Sequence, residues 1–149
     1  MMDAKITSRF QGAGLEVIGG FSESQGPSVT VAFRRVVHID AEPVDRIQRN
    51  QIGAARRVDE SWKDRARSGG VVADDGSFLA AAGMDYGWVH VRLTENADIS
   101  AMEDPEGGLL FIARSLSGHR VCAASTEEGE YWILEVDFPE FSQPDERVS

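Results

Sequence analysis

The chain has 149 residues, which is enough for one domain that buries a core without disulfide bonds, and its single cysteine excludes an internal disulfide. Twenty-five acidic residues against 15 basic ones give a net charge of −10, which argues against nucleic acid and anionic membrane as partners and favours a basic protein. No apolar run is long enough to span a membrane and no apolar signal segment follows the N-terminus, so we expect no membrane partner and a cytoplasmic location.

The N-terminal half of the chain predicts two strands followed by one long helix. Residues 1–14 have little pattern and are expected to fray, whereas residues 15–18 are short and apolar and predict a first strand. Residues 29–39 are rich in β-branched side chains that alternate with others, which predicts a second strand with a bulge near Arg35. Residues 43–67 place apolar side chains on one stripe at steps of three and four, which predicts a helix.

After residue 67 the apolar period changes to two, which is typical of strands. Residues 71–80 predict a hairpin that turns at Asp75 and Gly76, because this pair accepts the positive φ angles of a tight turn. Residues 95–108 are predicted to be a long acidic connection. Four further strands are predicted at residues 88–94, 109–113, 120–124 and 131–138.

The predicted fold class is α+β. Short connections between the last strands favour an antiparallel arrangement, so we expect a curved antiparallel sheet of about seven strands. The helix at residues 43–67 is expected to pack on one face of this sheet and to leave the other face open. Residues 1–141 are predicted to form a single domain, and the polar residues 142–149 are predicted to form a disordered tail.

One short segment has the composition of a catalytic or metal-binding site. If the second predicted strand runs on to residue 42, then His38, Asp40 and Glu42 project on the same face and could act as acid–base groups or metal ligands. The alternative is structural, because Asp40 or Glu42 could cap the helix that is predicted to follow. No known motif for a metal or an organic cofactor is present, and we expect neither.

A second candidate site is a partner-binding surface on the open face of the sheet. Aromatic side chains beside charged ones have the composition of a protein interface, and the acidic connection could extend this surface. The alternatives are that the aromatic side chains are buried and that the acidic connection is only solvated. The candidate partner-binding residues are Trp88, His90, Arg92, Glu103, Asp104, Glu106, Tyr131, Glu135 and Asp137.

The predicted function is that of a small acidic binding or inhibitory module that acts by protein–protein interaction. An immunity protein or an inhibitor of a basic enzyme is an analogue of this type, and electrostatic steering would speed its association with a basic partner. One alternative is a sensor-like domain that binds a small ligand between helix and sheet. Another is a small enzyme that uses His38, Asp40 and Glu42. An open aromatic face would also suit a homodimer.

Overall fold

The computed structural model describes residues 4–20, 27–38, 41–81, 87–104, 106–116 and 118–138. Within these ranges the chain forms one antiparallel sheet of seven strands with three α-helices, which confirms the predicted α+β class. The helices are α1 Ala4–Gly12, α2 Val29–Val36 and α3 Ala54–Ser68, with a short 3₁₀ helix at Ile99–Met102. The strands are β1 Leu15–Gly20, β2 Asp45–Gln48, β3 Ser77–Ala81, β4 Val89–Leu93, β5 Leu110–Arg114, β6 Arg120–Glu127 and β7 Glu130–Asp137.

The strand order across the sheet is β1-β4-β3-β5-β6-β7-β2, and every neighbouring pair is antiparallel. The β6–β7 hairpin is the longest pairing, and it runs from the Arg120–Asp137 pair to the Glu127–Glu130 pair. Its turn consists of Glu128 at φ 44° and Gly129 at φ 86°, which are the positive angles that a two-residue hairpin turn requires. The short β2 comes from earlier in the chain and completes the sheet beside β7.

Helices α1 and α3 cover one face of the sheet, and large aromatic side chains fill the space between these layers. The indole of Trp62 on α3 lies 5.2 Å from the ring of Phe111 and 5.6 Å from the ring of Phe78, and all three side chains are fully buried. The indole N–H of Trp62 donates to the carbonyl of Cys122 at 3.1 Å, so burial leaves no polar atom of this side chain unsatisfied. Phe10 on α1 packs edge-on against Phe111 and joins the two helices in one core.

The other face of the sheet is covered in part by α2. Val29, Ala32 and Val36 of this helix are buried with sheet residues such as Leu79 and Leu134 in a second apolar cluster. The prediction that one helix covers one face, leaving the other open, was therefore wrong. Apolar residues at positions 29, 32 and 36 lie on one face of a helix. This spacing fits a helix as well as the alternation of β-branched residues at 29–39 fits a strand. The hydroxyl of Ser28 caps the helix by accepting from the amide of Val31 at 3.2 Å.

The predicted long helix at residues 43–67 was also wrong. Residues 45–48 form β2, and the helix proper begins only at Ala54. Gly53, directly before α3, has a φ of 79°, which lies in the left-handed region and cannot continue a right-handed helix. Residues 4–12 form a helix rather than a frayed end, and Phe10 and Ile6 anchor it to the core.

The remaining strand predictions fared better. The strands predicted at residues 15–18, 88–94, 109–113, 120–124 and 131–138 correspond to β1, β4, β5, β6 and β7. The hairpin predicted at residues 71–80 does not form, because β3 begins at Ser77 and pairs with β4 and β5 instead. Its turn does exist, since Gly76 has a φ of 90° and Asp75 accepts from the amide and hydroxyl of Ser77. The predicted tail at residues 142–149 lies outside the described residues.

A search of the described residues for a helix that could cross a membrane finds none that is both long and apolar enough.

Candidate binding groove at the edge of the sheet

Strand β7 extends beyond its outer neighbour. It pairs with β6 over its full length, but β2 covers only the stretch from Glu130 to Ile133. The last link on the outer side is the amide of Val44, which donates to the carbonyl of Ile133 at 2.8 Å. The paired register of β2 ends at Asp45 opposite Ile133, and no described residue is paired with Glu135 on this side. Pro43, two residues before Asp45, has no N–H with which to extend a ladder, and residues 41–43 belong to no strand.

Within the described part of the chain, the outer backbone edge of residues 135–137 has no strand partner. On the inner side, the amide of Phe138 donates to the carbonyl of His119 at 2.7 Å, so even-numbered residues of this strand face β6. Backbone groups alternate sides along a strand, and those of Glu135 and Asp137 consequently point away from β6, as the Ile133 carbonyl does. No described residue forms a ladder bond with Glu135 or Asp137 on that outer side. The edge presents two N–H and two C=O groups.

A groove of about 400 Å³ runs along this edge, between β7 and the chain that connects α2 to β2. It brings together residues from both sites that the sequence predicted. His38 and Glu42 come from the candidate catalytic segment, and Glu135 and Asp137 from the candidate partner surface; all four are exposed. The groove's other lining residues were not predicted, and they are Arg35, Ala41, Leu134 and Val136.

The side chains of the groove divide by face. Those of Glu135 and Asp137 lie on the α3 side of the sheet, because they are in register with Cys122 and Arg120 of β6. Leu134 belongs to the apolar cluster under α2, and Val136 packs against that cluster. The groove thus has an acidic half and an apolar half.

Charge in the groove is only partly compensated. The guanidinium of Arg120 lies 3.5 Å from the carboxylate of Asp137, and Arg120 also donates to the carbonyl of Gly69 at 2.9 Å. The guanidinium of Arg35 lies 4.8 Å above the ring of Phe138, which holds it on the apolar side. Within the described part of the chain, Glu42 and Glu135 form no ion pair, so their charges are available to a partner.

The catalytic reading of His38, Asp40 and Glu42 receives limited support from this geometry. Asp40 lies outside the described residues. The strand that was expected to align all three does not exist, because α2 ends at Val36 and residues 41–43 belong to no strand. Among the described residues, no group of three histidine, cysteine or acidic side chains is arranged to hold a metal ion.

The predicted open face does not exist as one surface. Trp88 belongs to the cluster under α2, whereas Tyr131 belongs to the core under α1 and α3, so the two lie on opposite faces of the sheet. Both side chains are buried, at 7% and 5% exposure. The indole N–H of Trp88 donates to the carbonyl of Pro27 at 3.0 Å, and the guanidinium of Arg114 lies 5.7 Å from its ring. The two aromatic side chains are core residues rather than interface residues.

The two remaining candidates on β4 lie on the same face as Trp88 and are half-buried. Arg92 pairs with Glu16 of β1 at 3.1 Å, and it lies 3.9 Å from Asp75. Its register with Ser77 and Glu16 places it across three neighbouring strands, so its charge serves contacts within the protein. His90 lies opposite Leu79 of β3 in the same register. The structure therefore separates these residues from the groove.

Much of the acidic connection at residues 95–108 is engaged in contacts of its own. The carboxylate of Glu103 pairs with Arg49 at 2.7 Å and accepts from the hydroxyl of Tyr131 at 2.8 Å. Burial and then this carboxylate raise the pKa of Tyr131. Asp104 accepts from the amides of Glu106 and Gly108 at 3.0 and 2.8 Å, which closes the loop. Glu103 and Asp104 therefore have structural roles, and Glu106 remains exposed.

Comparison of the chain with protein-family models, with curated proteins and with solved structures finds no match. Sequence reasoning missed the groove because it had assigned Arg35, His38, Ala41 and Glu42 to a strand or its extension, and had divided residues 134–137 between a covered and an open sheet face. One signal was present: Pro43 has no N–H with which to extend a strand ladder, although the helical interpretation treated it as a helix start.

Proposed function

We propose that this protein is a small acidic binding module that acts in the cytoplasm by attaching to a basic protein partner through the groove at the β7 edge. The observation that carries the proposal is the free backbone of residues 135–137, which lies open beside the exposed carboxylates of Glu42, Glu135 and Asp137. Native proteins usually shorten, cover or charge such an edge, because unpaired strand groups invite another chain. Here the edge lies within a groove, so another chain can reach it, but the segment that connects α2 to β2 limits the space beside it.

The global charge supports the same reading. The net charge of −10 attracts a basic surface from a distance and raises the rate of encounter. Residues 95–149, which include β7, contain 13 acidic and three basic residues, so the acidic excess of the chain lies in the part of the sequence that contains this strand. Inhibition of a basic enzyme is one role that such binding would serve. It is proposed by analogy with the general type of acidic inhibitor proteins.

A sensor function has less support. It would need an apolar cavity between helix and sheet, but in the described part of the chain Trp62, Phe78 and Phe111 fill that space. A second candidate function is an acid–base enzyme, because the groove brings His38 together with Glu42 and Glu135. These three side chains are exposed to water, whereas catalytic groups are usually tuned by burial in a dry pocket. Binding is therefore the better supported function.

The test is affinity capture from the native host, with proteins quantified by mass spectrometry at low and high salt. One variant neutralises the groove by Glu42→Gln, Glu135→Gln and Asp137→Asn. The control variant removes the same number of negative charges at exposed positions elsewhere, by Glu95→Gln, Glu106→Gln and Glu128→Gln. Both variants have the same net charge, so they separate a local effect from a global one.

We expect the wild type and the control to capture the same basic protein at low salt, and the groove variant to lose most of it. High salt should weaken capture by the wild type, because screening shortens the range of the attraction. Equal capture by the groove variant and the control would show that the groove is not the binding site. Under the enzyme hypothesis, the His38→Ala variant would instead lose turnover while remaining folded.

A further inference from the structure

We infer that the partner enters the groove as an extended segment in which basic and apolar residues alternate, and that it pairs with Glu135–Asp137 as an additional strand. This inference rests on the proposed function and specifies the form of the partner. Its first support is the backbone: Glu135 and Asp137 direct their N–H and C=O groups into the groove. Addition of a strand to an open sheet edge satisfies such groups with main-chain hydrogen bonds.

The second support is the distribution of side chains along the edge. Residues opposite each other on neighbouring strands share a face and interact directly. A residue opposite Glu135 or Asp137 would therefore lie beside a carboxylate on the α3 side, where lysine or arginine is favoured. The residue between them would lie opposite Val136, beside the apolar cluster under α2. The edge thus selects a basic–apolar–basic pattern with the period of a strand.

A second copy of this chain is a poor occupant of the same edge. If two β7 edges paired antiparallel about Val136, Glu135 of each copy would face Asp137 of the other. Like charges directly opposite one another destabilise a strand pair, and each chain also carries a net charge of −10. We therefore expect a monomer, with the edge open to a basic strand.

Two synthetic peptides with blocked ends test this inference. The first alternates four lysines with three valines, and the second has the same composition with all valines before all lysines. Binding is measured by fluorescence anisotropy at low salt, and amide hydrogen exchange of the protein is measured by NMR with and without peptide. We expect the alternating peptide to bind roughly tenfold more tightly, because only its order places lysine opposite both acids and valine opposite Val136.

Exchange of the Glu135 and Asp137 amides should slow on binding, while exchange at Glu128 in the β6–β7 turn should not change. The variant Glu135→Gln should weaken binding roughly two- to five-fold, because it removes one cross-strand charge pair and keeps the backbone N–H. Glu106→Gln, at an exposed position outside the groove, should have no effect.

Equal binding of both peptides, binding without protection of the two amides, or binding of neither peptide would each overturn strand addition. Light scattering provides a further check, since a dimer whose Glu135 and Asp137 amides are already protected would show that a second copy occupies the edge. These failures are distinguishable from failure of the proposed function. If the groove variant still loses the cellular partner but the peptides show no order dependence, the groove binds a folded basic surface rather than a strand.

Discussion

Replacing Asp59 with alanine is expected to lower the free energy of unfolding by about 2–4 kcal/mol. Asp59 lies on α3 and is only 8% exposed. One of its carboxylate oxygens accepts from the amide of Ile99 at 2.8 Å, and the other pairs with the ammonium of Lys63 at 2.8 Å. Lys63 in turn donates to the carbonyl of Ala97. These contacts attach the segment after β4 to the helix.

The magnitude follows from what the substitution leaves behind. An unsatisfied buried N–H at Ile99 costs about 1–3 kcal/mol, and Lys63 loses the carboxylate that compensates its partly buried charge. For a chain of this length the loss corresponds to a decrease in Tm of roughly 5–15 °C. The matched control is Asp64→Ala, which removes an exposed carboxylate from the same helix and should cost no more than about 0.5 kcal/mol.

Urea unfolding followed by tryptophan fluorescence and far-UV circular dichroism measures both variants. The double variant Asp59→Ala, Lys63→Ala should be less destabilised than the sum of the single variants, because each partner is worth more while the other is present. A loss below about 0.5 kcal/mol for Asp59→Ala would refute the assignment of this carboxylate as the tie between α3 and the 3₁₀ helix.

Three further predictions concern the core. Trp62→Ala should cost about 3–5 kcal/mol in urea unfolding, and Trp62→Phe clearly less, because the smaller ring keeps part of the packing against Phe111. Burial raises the pKa of Cys122, so iodoacetamide at pH 8 should label the thiol only after unfolding, as mass spectrometry would show; rapid labelling of the native protein would contradict its burial. The pKa of Tyr131 is raised in the folded state, so its contribution to stability is present below about pH 10 and is lost as the pH rises through the folded pKa. Absorbance titration of the phenol measures this pKa. The Glu103→Gln variant should show a smaller upward shift, because it removes the negative charge beside the hydroxyl.

The sequence predicted the sheet better than the helices, and the reason is physical. Strands β4, β6 and β7 lie in a layer with both faces packed, where apolar and β-branched residues recur every second position or continuously. Helix α2 is also rich in β-branched residues, so its composition resembles that of a strand. It is nevertheless a helix, because the hydroxyl of Ser28 caps its first turn and the apolar side chains at positions 29, 32 and 36 lie on one helical face, which packs on the second face of the sheet. Periodicity over eight residues could not separate the two cases.

The error at residues 43–67 has a different cause. The apolar positions 44, 47 and 54 fit one helical stripe, but Ile47 is buried beneath α3 rather than on it. Residues 45–48 form a strand rather than a helix for two reasons. The left-handed φ of Gly53 interrupts the helix, and β2 pairs with β7 from the far end of the chain. The local sequence indicates the helix break only through the glycine at position 53, and it contains no indication of the pairing between β2 and β7.

The groove shows why an interaction site of this kind resists prediction from a sequence alone. Its acidic residues were chosen from the sequence, but for the wrong reason: Glu135 was expected to share an open face with Trp88, and these residues lie on opposite faces. Glu135 is available because of its place in the strand order, since the pairing of β2 ends at Ile133, two residues before it. Strand order depends on contacts between residues about 90 positions apart, such as Asp45 and Ile133. The end of such a pairing can be located only once the neighbouring strand is known, and it then identifies the residues whose backbone edge has no strand partner in the described part of the chain.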